Sequence, residues 1–419
     1  MYLMLDVVVN HFAWAGNGTT VDYSMFNPFN SEDYFHPFKL LSKDDPGNHT
    51  AAQMYWLGDD VLSLPDVRTE DPKVAQMYYS WIESLVSNYS VDGLRIDTVL
   101  NVDPQFFPGF NKAAGVFCTG EVYNGDPASA CPLQENLDSI INFPIYFYLV
   151  RAFNSTSGNI TALVNQMENV QQECRDIHVL TTFSENHDLP RFASYTRDMS
   201  LAQNVITYNI LADGIPIIYY GQEQHFSGAF NPVNREAEWL TEYNTDAPFY
   251  KLIASLNEIR THAFQAADTY ATYVGLTIYH DEHTMVMRKG FDGSQVITVL
   301  TNKGEDSDDQ TLNVKNSGFK GGEKVMEVLT CKEQKTHSDA SINVKIHKGL
   351  PGVFYPSAGL EGSNICQMGS PSSSSGSESS LSDKPSLAIS SIRTFSQGSN
   401  PAFIIGFLSL WIPLILQWI

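Results

Sequence analysis

Residues 93–97 read GLRID, and this stretch decides the fold of the chain. Its apolar and charged residues alternate as in a short strand with two opposite faces, so Arg95 and Asp97 lie on the same face. A guanidinium so close to a carboxylate favours the ionised carboxylate, which is the form that a nucleophile needs. The stretch therefore predicts a strand that carries a reactive carboxylate at its C-terminal end.

Two further apolar stretches also end on an acid. Residues 116–120, VFCTG, lead directly to Glu121, and residues 179–184, VLTTFS, lead to ENHD at residues 185–188. Strand–helix alternation of this kind indicates a parallel sheet with its chemistry at the C-terminal ends of the strands. A closed barrel needs eight strands, and two are expected to be missing at the start of this sequence. The six that we expect begin near Tyr2, Gly93, Val116, Ile140, Val179 and Ile215.

The N-terminal residues favour the same interpretation. Residues 1–6, MYLMLD, contain no basic segment and no small-residue cleavage site, so they do not resemble a signal peptide. They read instead as the middle of a buried strand. We therefore expect the natural start of the protein to lie upstream, and a barrel without two of its strands to be unstable or inactive alone.

Changes in composition divide the sequence into segments. The predicted barrel spans residues 1–265 and includes an insert at 12–66, which is rich in Gly, Asn and Tyr and too long for a simple connection. Short strands with polar turns then predict an antiparallel β-sandwich at 266–367. A Ser-rich stalk at 368–401 precedes an uncharged apolar tail at 402–419, which is typical of a glycolipid (GPI) anchor signal. A permanent membrane span is the alternative, but no basic stop-transfer residues follow the tail.

Charge and cysteine content restrict the partners and the compartment. The net charge of −22, from 47 acidic residues against 25 Lys and Arg, argues against a nucleic-acid partner. Cys118 lies in an apolar strand and is expected to be a buried free thiol, so the other four cysteines could form two disulfides. Paired cysteines and five N-glycosylation sequons predict a secreted glycoprotein. The sequons begin at Asn17, Asn48, Asn88, Asn154 and Asn159.

Four short motifs occur in order along the chain. They are DVVVNH at residues 6–11, GLRID at 93–97, GEV at 120–122 and FSENHD at 183–188. Together they resemble the four signature regions of the α-amylase family of glycoside hydrolases (family thirteen), and the likeness to its secreted fungal members continues to about residue 366. The resemblance implies a (β/α)8 barrel, an inserted domain B after the third strand and a C-terminal β-sandwich. The stalk and tail resemble those of anchored, cell-wall members.

The resemblance also implies a set of catalytic roles. Asp97 is expected to be the nucleophile, Glu121 the general acid/base and Asp188 the stabiliser of the transition state. This agrees with the chemistry, since a retaining glycosidase needs an ionised and a protonated carboxyl group roughly 5–5.5 Å apart. The apolar strand before Glu121 favours its protonated form. The side chains expected to contact the sugar are His11, Arg95, His187 and Arg235.

A calcium ion joins the barrel to the inserted domain in this family. Asn10 and Asp66 match two of its oxygen ligands, and the carbonyl oxygen of Asn101 is expected to be a third. Gln53 occupies the place of an acidic ligand. With one negative charge fewer, the single calcium site is expected to be weakened.

The resemblance bears on the cross-links as well. It pairs Cys131 with Cys174 and Cys331 with Cys366. Lys39 and Tyr55, in contrast, occupy positions where the secreted enzymes have a disulfide, so the inserted domain is expected to lack that bond.

Both substrate flanks depart from the family pattern. Leu100 and Asn101 replace a Lys-His pair on the leaving-group side, and Asn231 replaces an acid that grips the donor chain together with Arg235. Such a site could favour a sugar acceptor over water.

The predicted function is retaining, endo-type hydrolysis of starch-like α-1,4-glucans by a monomer at the cell surface or in the cell wall, held by its lipid anchor. One alternative is a 4-α-glucanotransferase of cell-wall α-glucan metabolism. The other is a catalytically silent carbohydrate-binding wall protein, against which the three intact acids argue.

Overall fold

The computed structural model describes residues 2–42 and 48–366. Its N-terminal part alternates strands and helices, as the sequence predicts. In chain order these are β1 Met4–Val7, α1 His49–Met54, β2 Leu57–Gly58, β3 Ser63–Leu64, α2 Pro72–Tyr89, β4 Gly93–Ile96, α3 Phe107–Ala114, β5 Phe117–Gly120, α4 Pro127–Ala130, β6 Ser139–Ile140, α5 Phe143–Phe153, α6 Ile160–Glu173, β7 Thr181–Thr182, α7 Met199–Leu211, β8 Ile215–Pro216 and α8 Pro248–Ala266.

A parallel ladder connects the predicted strands. β1, β4, β5 and β6 pair in that order, and a parallel bridge between Ile141 and Thr181 continues the ladder to β7, which pairs with β8. The six parallel strands lie where the sequence predicts them, although β7 and β8 are only two residues long. The C-terminal ends of all six therefore meet at one edge. That two further units complete a barrel stays a prediction.

Helix α2 leads into β4, and its local sequence explains where the helix begins. Asp71 caps its N-terminus by accepting a hydrogen bond from the backbone N–H of Lys73, and Pro72 fits the first turn, where its missing N–H costs nothing. Its buried residues, Val74, Tyr78 and Ile82, belong to the hydrophobic core that also contains Leu94 and Ile96 of β4.

The C-terminal part is an antiparallel sandwich. Its strands are β9 Leu276–His280, β10 Thr284–Lys289, β11 Val296–Thr301, β12 Gln310–Val314, β13 Lys324–Glu327, β14 Lys332–Lys335, β15 Ile342–Ile346 and β16 Gly352–Pro356. Six of them form one sheet in the order β14-β13-β16-β11-β10-β9, while β12 and β15 form a second sheet, and the facing apolar side chains of both share one core. The strand β14, KEQK, is polar throughout, so it has no apolar face that would indicate a strand in the sequence.

The insert after β1 is a compact excursion held by aromatic side chains. Phe12 contacts Phe26, Phe29 and Phe35 with ring centroids 4.9–5.9 Å apart, and bridges between residues 11 and 66 and between 14 and 63 close its base. The ammonium group of Lys39 donates to the hydroxyl of Tyr55 at 2.6 Å. It also lies 3.8 Å from the centre of that ring. The two positions that the resemblance links to a lost disulfide are thus in contact.

The cysteines are arranged as predicted. Disulfides join Cys131 to Cys174 and Cys331 to Cys366, while Cys118 is a buried free thiol in β5. Within residues 2–42 and 48–366, no helix is long and apolar enough to cross a membrane. The predicted stalk (368–401) and anchor signal (402–419) lie outside the described residues.

Candidate active site

The guanidinium of Arg95 lies at the C-terminal edge of the sheet and contacts three carboxylates. Its Nη1 donates to Oδ1 of Asp97 at 2.5 Å and to Oδ1 of Asp6 at 2.9 Å. Its Nη2 lies 3.0 Å from Oε1 of Glu121. The sequence predicts the contact with Asp97 but not the one with Asp6. The register of β1 and β4 explains that contact, because Asp6 lies directly beside Arg95 in the ladder.

Asp97 is held with one oxygen unused. The residue is 4% exposed, and its backbone N–H donates to the carbonyl of Val7 at 2.9 Å. Whereas Oδ1 accepts from Arg95, Oδ2 is buried and has no hydrogen-bond partner within the described residues. A buried carboxylate oxygen without a partner is poorly stabilised and therefore reactive toward an electrophile.

Glu121 lies where it keeps its proton near neutral pH. The residue is 6% exposed, and Oε2 accepts from the backbone N–H of Thr98 at 3.2 Å. Burial raises the pKa of Glu121 to about 7; Arg95 opposes this increase, and the charges of Asp97 and Asp188 add to it. Thr98 has a left-handed backbone with φ of 48°, a conformation that is strained for a β-branched residue and turns its N–H toward the carboxyl group.

Asp188 completes the acidic group from the loop after β7. Nε2 of His187 lies 3.0 Å from its Oδ2, and Nη2 of Arg235 donates to its Oδ1 at 3.2 Å. Burial favours a higher pKa for Asp188, but the hydrogen bond from His187 and the charges of Arg95 and Arg235 outweigh it, so the pKa is lowered. Asp188 is therefore ionised beside a Glu121 that holds a proton.

The predicted sugar-contacting residues lie around these acids. Nδ1 of His11 is 3.3 Å from Nδ2 of Asn10, and burial lowers the pKa of His11 against the opposing charge of Asp97, so its imidazole is neutral. Arg235 also donates from Nε to the carbonyl of His187 at 3.1 Å. The structure thus brings His11, Arg95, His187 and Arg235 together at one edge.

The predicted calcium ligands lie where the insert meets the barrel. Asp66 is buried; its Oδ2 is 2.8 Å from Nδ1 of His36, and its Oδ1 is buried without a hydrogen-bond partner within the described residues. The backbone N–H of Val67 donates to the carbonyl of Asn10 at 2.8 Å. An unpartnered carboxylate oxygen beside a buried amide fits a hard cation that takes oxygen ligands.

The other two predicted ligands belong to neighbouring segments. Nδ2 of Asn101 donates to the carbonyl of Ala52 at 2.9 Å, so the helix that carries Gln53 is attached to the turn after β4. Within residues 2–42 and 48–366, no three His, Cys, Asp or Glu side chains form a metal cluster. A cation here would depend on amide and carbonyl oxygens besides Asp66.

Sequence reasoning missed a second charged cluster behind the site. Arg191 is 0% exposed and contacts Glu185 and Glu236. A signal was present, since Arg191 is the only charged residue in the stretch LPRFA at residues 189–193, as is typical of a buried arginine with a specific partner.

Similarity to known proteins agrees with this geometry. The family model described as alpha amylase, catalytic domain, matches residues 1–349. Alpha-amylase 2 of Schwanniomyces occidentalis is 44% identical over 366 residues, which cover 87% of this chain and 71% of that protein. Alpha-amylase 1 of Lipomyces kononenkoae is 49% identical over 368 residues, 88% of this chain and 59% of that protein.

A solved structure shows the same relationship in three dimensions. The structure of an alpha-amylase from Malbranchea cinnamomea is similar with a TM-score of 0.84 and 48% sequence identity, covering 88% of this chain and 77% of that one. Fold, acidic site and sequence lead to one conclusion: the chain belongs to the alpha-amylase family of glycoside hydrolases.

Proposed function

We propose that this protein is a retaining glycosidase that hydrolyses starch-like α-1,4-glucans at internal linkages. One observation carries the proposal: a buried carboxylate with an unused oxygen, Asp97, shares the guanidinium of Arg95 with a carboxyl group that is protonated near neutrality, Glu121. Two carboxyl groups that contact the same guanidinium lie close together. This favours the separation of roughly 5–5.5 Å between the two carboxyl groups of retaining glycosidases over the wider separation in inverting glycosidases. The names of the relatives support the same substrate class.

Each carboxyl group has a distinct role in the proposed reaction. Glu121 donates its proton to the glycosidic oxygen while Oδ2 of Asp97 attacks the anomeric carbon, so the bond to the leaving sugar breaks and a glycosyl ester forms. Glu121, now ionised, takes a proton from water, whose oxygen attacks the anomeric carbon and releases Asp97. Asp188 offsets the positive charge that develops on the sugar ring.

Product analysis of soluble starch tests this function. We expect oligosaccharides released in the α-anomeric form, which NMR detects before mutarotation, and a loss of at least about a thousandfold in kcat for Asp97→Asn. Asp246→Asn is the matched control, because Asp246 is 85% exposed and pairs only with a surface lysine within the described residues. Release of β-anomers, or full activity of Asp97→Asn, contradicts the mechanism. Wild-type protein that binds glucan without cleaving it indicates the silent wall protein.

Glucan transfer is a second candidate, favoured by the leaving-group side of the site. Leu100 packs against the hydrophobic core, and the amide of Asn101 is engaged by the carbonyl of Ala52, so both differ from a pair of basic sugar-contacting residues. Transfer predicts chains longer than a supplied maltooligosaccharide, and Leu100→Lys combined with Asn101→His is expected to shift products toward hydrolysis. Exclusively shorter products from the wild type contradict transfer.

We also propose one calcium site formed by Asn10, Gln53, Asp66 and the carbonyl oxygen of Asn101. When bound, the ion would join the insert to the barrel, and a single carboxylate ligand predicts weak binding. Thermal unfolding tests this, because calcium is expected to raise the Tm of the wild type slightly and that of Gln53→Glu more strongly. A Tm that is independent of calcium and EDTA in both proteins contradicts the site.

The remaining parts of the proposal concern location. Two disulfides fit an oxidising compartment. We propose a monomeric, N-glycosylated protein held at the cell surface through residues 368–401 and 402–419. Release from cells by a phospholipase specific for glycolipid anchors tests the attachment, and retention after that treatment contradicts it.

A further inference from the structure

We propose that Arg191 is a positioning residue for Asp188, because it locks together the two loops that carry the Asp188 side chain and its partners. The proposal rests on the proposed function, in which Asp188 stabilises the transition state. It concerns a side chain that does not itself reach the substrate cleft, since Arg191 is fully buried.

Arg191 joins the loop after β7 to the loop after β8. On its own loop, Nη1 donates to Oε1 of Glu185 at 3.1 Å. Across to the second loop, Nη1 donates to the carbonyl of Tyr220 at 2.6 Å, while Nε donates to the carbonyl of Asn234 at 3.1 Å and to Oε2 of Glu236 at 2.8 Å. One guanidinium therefore fixes both loops at four points.

The second loop in turn holds the catalytic segment. Nδ2 of Asn234 donates to the carbonyls of His187 and Leu189, at 3.0 and 2.8 Å, which lie on either side of Asp188. The next residue, Arg235, donates to the carboxylate of Asp188 itself. Arg191 thus acts on Asp188 through Asn234, whose carbonyl it binds, and through the neighbouring Arg235.

The carboxylates of this cluster are held as firmly as the arginine. Oε2 of Glu185 accepts from the backbone N–H of Phe192 at 2.8 Å, and Oε1 of Glu236 accepts from the N–H of Gly228 at 2.6 Å. The guanidinium carbon lies 4.2 Å from the ring centre of Tyr219. Such a site uses the planar fork of arginine, which the single ammonium group of lysine does not reproduce.

A structural role alone is a weak explanation for this cluster. Removing charged groups from water is costly, and buried ion pairs often add no net stability compared with apolar side chains. Geometry is a better explanation, since catalytic groups displaced by about 1 Å lose activity steeply. Such a displacement weakens the stabilisation of the transition state more than the binding of the substrate, so kcat is expected to fall while KM changes little.

The test compares Arg191→Lys with Arg260→Lys in the full-length enzyme. Arg260 is also mostly buried and donates to the carbonyls of Ile210 and Gly214, but these lie before β8, at the opposite end of the strand. We expect Arg191→Lys to lower kcat on soluble starch by about tenfold or more, with KM within about threefold. Arg260→Lys is expected to lower Tm while kcat at 25 °C stays within about twofold.

A double-mutant cycle separates positioning from general damage. If Arg191 acts through Asp188, Arg191→Lys adds less than about twofold to the loss caused by Asp188→Asn, because the positioned group is already gone. A multiplicative loss in the double variant, or an Arg191→Lys enzyme as active as the control, overturns the proposal. If Arg191→Lys does not fold, Glu236→Gln takes its place in the same double-mutant cycle and is expected to lower kcat by about threefold. The same two outcomes then support or overturn the proposal. Failure of the proposed function is distinguishable, because the wild type itself then releases no glucan products.

Discussion

Replacing Glu121 with glutamine is expected to abolish activity and, at alkaline pH, to stabilise the protein. Burial raises the pKa of Glu121 from its ordinary value of 4.5 to about 7. A raised pKa means that the folded protein favours the neutral carboxyl group. The stability that this group contributes is fully present below pH 4.5 and is lost as the pH rises through 7.

The size of the effect follows from the two pKa values. Each pH unit between 4.5 and about 7 corresponds to about 1.4 kcal/mol, so ionised Glu121 costs the fold roughly 3 kcal/mol above pH 7. Between pH 5 and pH 8 the free energy of unfolding of the wild type is therefore expected to fall by about 2–3 kcal/mol relative to Glu121→Gln. Glutamine keeps the shape of the side chain and an oxygen for the N–H of Thr98.

Urea unfolding of both proteins at pH 5 and pH 8 measures this difference directly. Other buried acids that titrate in the same range, such as Glu185, are present in both proteins and cancel in the comparison. Glu135→Gln is the matched control, because Glu135 is 65% exposed and its replacement is expected to change stability by less than about 0.5 kcal/mol at either pH. Stability curves of wild type and Glu121→Gln that stay parallel within about 1 kcal/mol refute the reasoning.

Three further predictions concern activity and the cross-links. Because the proposed mechanism requires Glu121 to carry its proton, kcat/KM on soluble starch is expected to fall about tenfold per pH unit above pH 7, and an unchanged rate up to pH 9 contradicts this. Replacing Cys331 and Cys366 by alanine opens a loop with a sequence separation of 35 residues and is expected to cost about 4 kcal/mol in urea unfolding; an unchanged midpoint contradicts it. Lys39→Ala removes a solvent-exposed contact with Tyr55 and is expected to lower the free energy of unfolding by less than about 1 kcal/mol, so a larger loss shows that the contact holds the insert.

The parts of the fold that sequence predicts are those whose signal is local. The stretch GLRID predicts both a strand and the pairing of Arg95 with Asp97, because the alternation of apolar and charged residues over five positions decides which side chains share a face. The same reasoning overestimates β7: VLTTFS reads as a six-residue strand, but only Thr181–Thr182 has a partner in the ladder. Strand length depends on the neighbouring strand as well as on the stretch itself.

Long-range contacts explain what sequence does not predict. Glu236 lies 45 residues from Arg191 and Tyr220 lies 29 residues from it, so the cluster exists only once β7 and β8 are side by side. The contact of Asp6 with Arg95, 89 residues apart, likewise depends on strand register. The three acids were predictable because each follows its own apolar strand, whereas their supporting residues follow no common pattern.

The buried thiol of Cys118 can be used to measure the opening of the parallel sheet. Its side chain is fully enclosed in β5, where burial and the nearby charge of Asp138 raise the pKa of the thiol to about 12. While the strands remain paired, a thiol reagent therefore does not react with the buried thiol of Cys118. The other four cysteines form disulfides, so they do not react with the reagent either. The labelling rate of the unmodified protein therefore measures how often the strands around Cys118 separate, and no cysteine has to be introduced for the measurement.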